Sequence, residues 1–474
     1  MTSTESTSGT PILAEVREGS YGAKVVAIEP GGAGFIPLAE RHGNPLSLFW
    51  TWTSPNLEFA TIFVGVISVA FFGQTLPQAI AALVLGTALG ALTHGILSAR
   101  GPQFGVPQMI ASRIAFGYRG NVLPAGLNAV VAGIGWFAVN SVSGTFALNS
   151  LTGLPKVPSL VLIVLVQIAI AFLGHNFVHG FEKYVFPLLA LAFVLAAVFI
   201  LPKASTSGAP GGGGIGGFLI TLGAAFGYAA GWNPYATDYT RYFSPQTSKR
   251  AIGLYAGLGI FVSCTALEII GAASATIAAP KDASPTDAFT GHMPSLVASL
   301  VLLAIVIGAI SANAINVYSG TMSFLALGVR LRLSRARAIV AAVFGVVGLL
   351  VALGGLQDAG QKYENFLLVI SYWVGPWLGV YLADQVLRRG HRVDGFLFDT
   401  RHNPWAGFAA MGLAMVVSIG LFSNQSQYLA PLPKAYPGLG DVTFEVGFVL
   451  AVVLYALFFR LQRSGPTDEV LALP

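Results

Sequence analysis

Charge is what this chain has least of. Only 9% of its 474 residues are Asp, Glu, Lys or Arg, against about 25% in a soluble globular protein, and that deficit excludes an ordinary soluble enzyme. The one cysteine, Cys264, lies inside an apolar run, so neither an internal disulfide nor a Cys-rich metal site is available. His94, His175 and His179 do not make a metal set: His175 and His179 could share a helix face, but no third ligand accompanies them. The Gly-rich stretch GAPGGGGIGGF lacks the GK[ST] ending of a phosphate loop. There is no HExxH, no nucleophile elbow and no closely spaced pair of carboxylates from which catalysis would start. The net charge of +5 is spread over short loops rather than gathered on one face, which argues against a nucleic-acid partner.

What the chain has in abundance is hydrocarbon: 54% of residues are hydrophobic and the mean hydropathy is +0.72. A membrane-spanning helix needs about 20 predominantly apolar residues. Twelve such segments fall near 47–74, 77–99, 122–150, 157–175, 184–202, 214–236, 251–278, 294–329, 337–356, 363–387, 404–423 and 443–462. The sequence therefore predicts an all-α integral membrane protein of twelve spans in a cell membrane. Basic residues set the orientation. Twenty of the 25 Lys and Arg sort to one side, in the tails and even-to-odd connections, and the remaining five, Lys156, Lys203, Lys281, Lys362 and Lys434, fall one to each opposite loop. Both termini are thus expected in the cytoplasm. Residues 1–45 form a polar tail without the apolar core of a signal peptide, and 464–474 form a short C-terminal tail.

Two segments interrupt the apolar pattern, and paired interruptions in corresponding halves point to a transporter's binding site. In span 1, TWTSPNLEFAT brings Pro55, Asn56 and Glu58 into the hydrocarbon region; in span 6, FGYAAGWNPYATDYTRY brings Gly227, Gly231 and Pro234. The two lie five spans apart in order. That predicts two inverted repeats, 46–202 (spans 1–5) and 203–388 (spans 6–10), with 389–463 (spans 11 and 12) appended. Polar positions in other spans converge on the same reading. Trp136 and Asn140 share a face of span 3, an indole that can stack on a flat ring one turn from an amide that can read its edge. Ser311, Asn313 and Asn316 interrupt span 8, and polar groups at membrane depth face the bundle interior. Helix packing alone accounts for such residues in many membrane proteins. Glu58 and Glu268 are the intramembrane carboxylates.

These segments together resemble the nucleobase:cation symporter family, the purine/cytosine permease group. The likeness is carried by RGPQFGVPQMIASRIAFGYRGN after span 2, GWFAVN in span 3, GWNPYATDYTRY in span 6 and SANAINVYS in span 8. It implies a five-plus-five LeuT-like fold in which spans 1 and 6 are discontinuous. It also implies that Trp136 stacks on the substrate, with Asn140, Asn313 and Asn316 as its hydrogen-bonding amides. The second stacking aromatic is Tyr228 or Trp232, near Gly227, and Ala60 lies at a backbone contact. Ion coupling would involve Asn56 and Phe59 of span 1 with Gly308, Ser311 and Ala312 of span 8. Ala312 has no side-chain oxygen, and a hard cation wants one there, so proton coupling through Glu58 or Glu268 is expected in place of Na+.

The expected activity is import of cytosine, adenine, guanine or hypoxanthine by symport through alternating access, without cofactor, by a monomer. The alternatives are a symporter for another flat heterocycle (uracil, allantoin, hydantoin, thiamine or pyridoxine), with Na+ as the other candidate coupling ion, and more remotely a membrane-embedded enzyme or a channel. Ser371, Tyr372, Trp373 and the Gly375–Pro376 pair of span 10 are expected at an outer gate.

Overall fold

In a bilayer no water satisfies free backbone groups, so the chain must close its hydrogen bonds within helices. The computed structural model describes residues 32–171, 175–206, 212–278, 284–329, 331 and 333–462, with the side chains of 171–183, 333, 334 and 337 outside the description. Residues 1–31, the C-terminal tail, Lys281, part of the Gly-rich run and the side chains of His175 and His179 therefore lie outside the described residues. The elements among the described residues are helices, with isolated bridges such as that between Asn424 and Leu429. Among the described residues ten helices are long and apolar enough to cross a membrane, and the bent pair Ser47–Asn56 and Phe59–Ala70 adds an eleventh crossing. Of the expected span 4 the description covers the 16-residue helix Lys156–Ala171, which ends where the described residues stop, so eleven of the twelve expected spans meet the length criterion among the described residues.

The helices form two groups. Spans 1, 2 (Leu76–Ser98), 6 (Gly214–Thr240) and 7 (Lys249–Ile277) pack as one, and spans 3 (Val122–Thr152), 4, 8 (Ser295–Ala326) and 9 (Leu333–Gly355) as another. Span 5 (His175–Ile200) lies on span 8, and spans 10 (Ala359–Leu387), 11 (Trp405–Phe422) and 12 (Thr443–Leu461) pack together beside span 6. Each group owns apolar packing. Phe137, Phe146, Leu160, Val164 and Phe344 fill the second group in a cluster separate from the main core.

Lipid is as apolar as leucine, so helices associate through close backbone approach and polar bonds rather than through hydrophobic burial. Glycine supplies the approach. A Cβ on Gly65 of span 1 would fall 1.8 Å from the Glu268 carbonyl of span 7, and one on Gly271 would fall 1.8 Å from the Ile62 carbonyl. Nearer the other end of the same pair, a Cβ on Gly259 would sit 2.8 Å from the Phe49 carbonyl. Span 7 thus lies flush against both halves of span 1.

The two expected interruptions are unequal. Span 1 bends by 59°, because Leu57 (φ −81, ψ 67) and Glu58 (φ −145, ψ 172) leave the helical region altogether. Span 6 only tightens, into a 3-10 turn at Asn233–Tyr235, with Gly231, Trp232 and Tyr235 all in right-handed helical backbone. The expected interruption of span 6 is present but milder than that of span 1: the α-helix stops at Ala230 and resumes at Ala236 without a comparable bend. Pro234 sits at the start of that turn, where its missing N–H breaks no helical bond. Span 3 carries a distortion with no forewarning in the sequence, a π-helical stretch over Asn128–Ile134 ending just before Trp136. Such widened turns re-aim the side chains that follow.

Candidate functional site

The break in span 1 faces span 8 across a glycine. A Cβ on Gly308 would meet the Leu57 carbonyl at 2.5 Å and the Glu58 Cβ at 3.2 Å, so only hydrogen at that position lets span 8 close over the kink. Around this point the structure gathers side chains from four spans. The Tyr228 hydroxyl of span 6 donates to Glu58 Oε1 at 3.2 Å and also bonds to the Thr61 hydroxyl. Trp232 donates its indole N–H to Asn56 Oδ1 at 2.8 Å, while Asn56 Nδ2 turns back to the Trp52 carbonyl at 2.6 Å.

Asn140 connects this carboxylate to span 8. In one setting of its amide, Nδ2 donates to Asn313 Oδ1 at 3.0 Å. In the other, which suits both ends of the amide, Nδ2 donates to Glu58 Oε2 at 3.0 Å and its oxygen accepts from Asn316 Nδ2 at 3.3 Å. Asn313 itself donates to the Phe137 carbonyl at 3.0 Å and accepts from Asn316 Nδ2 at 3.1 Å. Behind it, Ser141 donates to Gln167 Oε1 at 2.8 Å and Gln167 to the Ala309 carbonyl at 3.2 Å, locking spans 3, 4 and 8. Asn316 Oδ1 is buried without a hydrogen-bond partner, an acceptor left over in an otherwise bonded set.

Trp136 stands beside this cluster with its ring edge-on to Tyr228 (centroids 5.3 Å apart, planes at 90°) and to Phe366 of span 10 (4.9 Å, 83°). Of the two candidate span 6 aromatics, Tyr228 meets Trp136. Trp232 instead packs edge-on against Trp52 at 5.8 Å. Trp52 in turn meets His94 at 4.2 Å and Tyr239 at 5.4 Å, so aromatic rings fill the path toward the end bearing the basic loops. On the other side a cavity of about 330 Å³, lined by Phe59, Ala60, Phe63, Val139, Tyr363 and Phe366 among others, approaches the aromatic corner.

The remaining sequence candidates fall unevenly. The Ala60 carbonyl accepts from the Tyr363 hydroxyl at 2.8 Å, and the Asn56 carbonyl accepts from Thr61 Oγ1 at 2.6 Å. Phe59 lies over Phe63 at 5.7 Å. Ser311 and Ala312 are buried in span 8. At Gly227 the missing side chain admits span 10, since a Cβ there would stand 2.4 Å from the Leu367 carbonyl. Glu268 is also elsewhere, accepting from Thr87 of span 2 at 2.7 Å with its other oxygen unbonded. In span 10 the expected gate residue Tyr372 bonds to Asp441 of the 11–12 connection, and Gln425 donates to it at 3.2 Å. Burial pushes the Asp441 carboxyl above the usual carboxylate range. At that cavity span 10 places Ala359 and Lys362 and, among its aromatic rings, Tyr363 and Phe366. These two rings and Thr61 went unnoticed in the sequence, where an aromatic near a helix start and a threonine in an apolar run carry no signal of the direction they face.

A broken helix beside a stacking aromatic and an amide cluster, at the junction of two helix groups, is the arrangement of a transporter site, and the comparisons with known proteins decide which kind. The family of permeases for cytosine/purines, uracil, thiamine and allantoin matches residues 35–447. The chain belongs to this family. It is a multi-pass membrane permease and not an enzyme. A Bacillus subtilis protein assigned to the purine-cytosine permeases is 29% identical, over 92% of this chain and 98% of that one. The purine-cytosine permease of Emericella nidulans is 27% identical over 90% and 87%. Among solved structures, the permease shares its fold with Mhp1, a nucleobase-cation-symport-1 family transporter in a closed conformation with bromovinylhydantoin bound (TM-score 0.72, 20% identity, 92% of this chain and 96% of that one). A Na+-coupled sialic acid symporter is similar at TM-score 0.62, with 16% identity over 91% and 92%.

Proposed function

We propose that this permease imports a purine or pyrimidine base, cytosine, adenine, guanine or hypoxanthine, by symport with a proton. The observation that carries the reading is the convergence of Trp136 and Tyr228 with the amides of Asn140 and Asn316 around Glu58. Such a base presents two flat faces and an edge of alternating donors and acceptors. The aromatic pair supplies faces, and the spare Asn316 Oδ1 supplies an acceptor for a ring N–H or amino group. The rings are in contact without cargo, and a sandwiched base needs about 7 Å between them, so Tyr228 or Trp136 must rotate to admit it.

Glu58 is the proton carrier in this reading, and Asn140 is its reporter. A carboxylate accepts from the Asn140 N–H₂; a neutral carboxyl donates to the Asn140 oxygen, which releases the amide nitrogen to Asn313. One proton thereby resets the amides that face the base. Glu268, bonded to Thr87, is left a packing role. Alternating access would move the repeats 46–202 and 203–388 about this point, with the termini cytoplasmic.

Uptake of labelled cytosine and adenine into proteoliposomes tests the reading under separate pH and Na+ gradients. Accumulation driven by an inward proton gradient and lost in Trp136→Ala and Asn140→Ala is the expected result; unchanged uptake by both variants rejects the site. A second reading, another flat heterocycle such as uracil, allantoin, thiamine or a hydantoin, is favoured by the breadth of the family's description and by the hydantoin held in the fold neighbour. A thermal-shift panel separates the two, because only a ligand of the folded state raises the melting temperature.

A further inference from the structure

A groove of about 1360 Å³ lies away from the polar cluster, at the end of the bundle that carries the basic loops. It is bounded by the ends of spans 2 and 7, the short helix Gly101–Phe104 and the last turns of span 10 with the loop that follows. Its floor is the crossing of spans 2 and 7 at backbone contact. A Cβ on Gly95 would lie 2.5 Å from the Gly253 carbonyl, and one on Gly257 would lie 3.0 Å from the Ala91 carbonyl. Its walls are bare hydrocarbon, with Leu92 and Leu254 exposed by 62% and 57%.

The rim has the opposite character. Arg100, Lys249, Arg250, Arg388 and Arg389 line it against one carboxylate, Asp384, which is committed to Arg388 at 2.8 Å. Several cations are thus held over an apolar trough with no acid of the groove to match them. The His391 Nδ1 atom on the same rim is buried without a hydrogen-bond partner. A soluble anion would satisfy the rim and leave the trough wet; an acyl chain alone would do the reverse.

We propose that this groove binds an anionic phospholipid, with its phosphate among Arg100, Lys249, Arg250 and Arg389 and its acyl chains along the glycine-floored trough of spans 2 and 7. The distribution of Lys and Arg puts the rim at the cytoplasmic leaflet, where anionic lipids reside. The site is independent of which base is carried. Because its walls are spans 2 and 7 on one side and span 10 on the other, a bound lipid bridges the helix group around the span 1 break and the helices packed outside it.

The test is native mass spectrometry of the full-length protein in detergent, titrated with phosphatidylglycerol or phosphatidylcholine. Wild type is expected to retain one phosphatidylglycerol at activation energies that strip phosphatidylcholine. The combined variant Lys249→Gln, Arg250→Gln, Arg389→Gln is expected to weaken that binding by about tenfold or more, whereas Arg119→Gln with Arg401→Gln, basic positions outside the groove, leaves it unchanged. The single variants Lys249→Gln and Arg389→Gln are measured alongside, with melting temperatures of the lipid-free proteins, so that a folding defect is not mistaken for lost binding. Equal retention of the two lipids, equal loss in the control, undiminished binding in the groove variants, or displacement of phosphatidylglycerol by millimolar inorganic phosphate overturns the proposal.

Discussion

The breaks in spans 1 and 6 look alike as strings of residues and differ as structures. Span 1 leaves helical geometry over Leu57 and Glu58 and turns by 59°, whereas span 6 stays within it and merely narrows to a 3-10 turn at Asn233–Tyr235. Proline placement does not account for the difference. Pro55 and Pro234 hold the same position in their 3-10 turns, but the residue that follows the first turn, Leu57, rotates to ψ 67, whereas the residue that follows the second, Ala236, stays helical. Two prolines of similar context therefore do not imply two hinges. In this permease the polar chemistry collects at the span 1 break, and span 6 contributes rings.

If that asymmetry is right, the largest effect belongs to Glu58→Gln. Gradient-driven accumulation is expected to fall to about the passive ratio of one as the coupling is lost, while base binding in a thermal-shift assay persists; retained concentrative uptake would remove Glu58 from the mechanism. Next comes the glycine that faces the kink. Gly308→Ala puts a methyl 2.5 Å from the Leu57 carbonyl and is expected to cost about 1–3 kcal/mol through overpacking. Gly231→Ala in span 6, whose nearest neighbours stand 3.1–3.2 Å away, should cost less. A reversed order of melting temperatures would place the sensitive break in span 6. Trp232→Phe probes the tie between the two segments. It leaves Asn56 Oδ1 without its 2.8 Å donor, an effect of about 1–3 kcal/mol for a buried acceptor. The smallest change is expected for Pro234→Ala, within about 0.5 kcal/mol, and a larger loss there than in Pro55→Ala would undo the contrast.

Much of this was legible in the residues. Polar amides are so costly in hydrocarbon that Asn140, Asn313 and Asn316 had to face inward, and the structure joins all three. Trp136 and Glu58 stood out for the same reason. What the sequence could not convey was direction. Gly227 marked a real irregularity, but its missing Cβ makes room for span 10. Glu268 was conspicuous as a charge, yet the pairing with Thr87 that places it on the span 2 side depends on the rotation of span 7. Tyr228 and Trp232 sit four residues apart on one helix, and only the packing of span 3 shows which of them meets Trp136. Thr61, Tyr363 and Phe366 stayed hidden because each is an ordinary residue for its helix until the partner across the gap is known.

The flush seam between spans 1 and 7 bears on how the kink can be used. Span 7 is a continuous helix of 29 residues, and its Gly259 and Gly271 meet span 1 on opposite sides of the kink, at the Phe49 and Ile62 carbonyls. It is a splint laid across a fracture. Straightening or deepening the bend would drive carbonyl oxygens into the splint at one end and peel them away at the other. The elbow is thereby tied to its splint: any swing of span 1 that keeps this packing carries span 7 along with it.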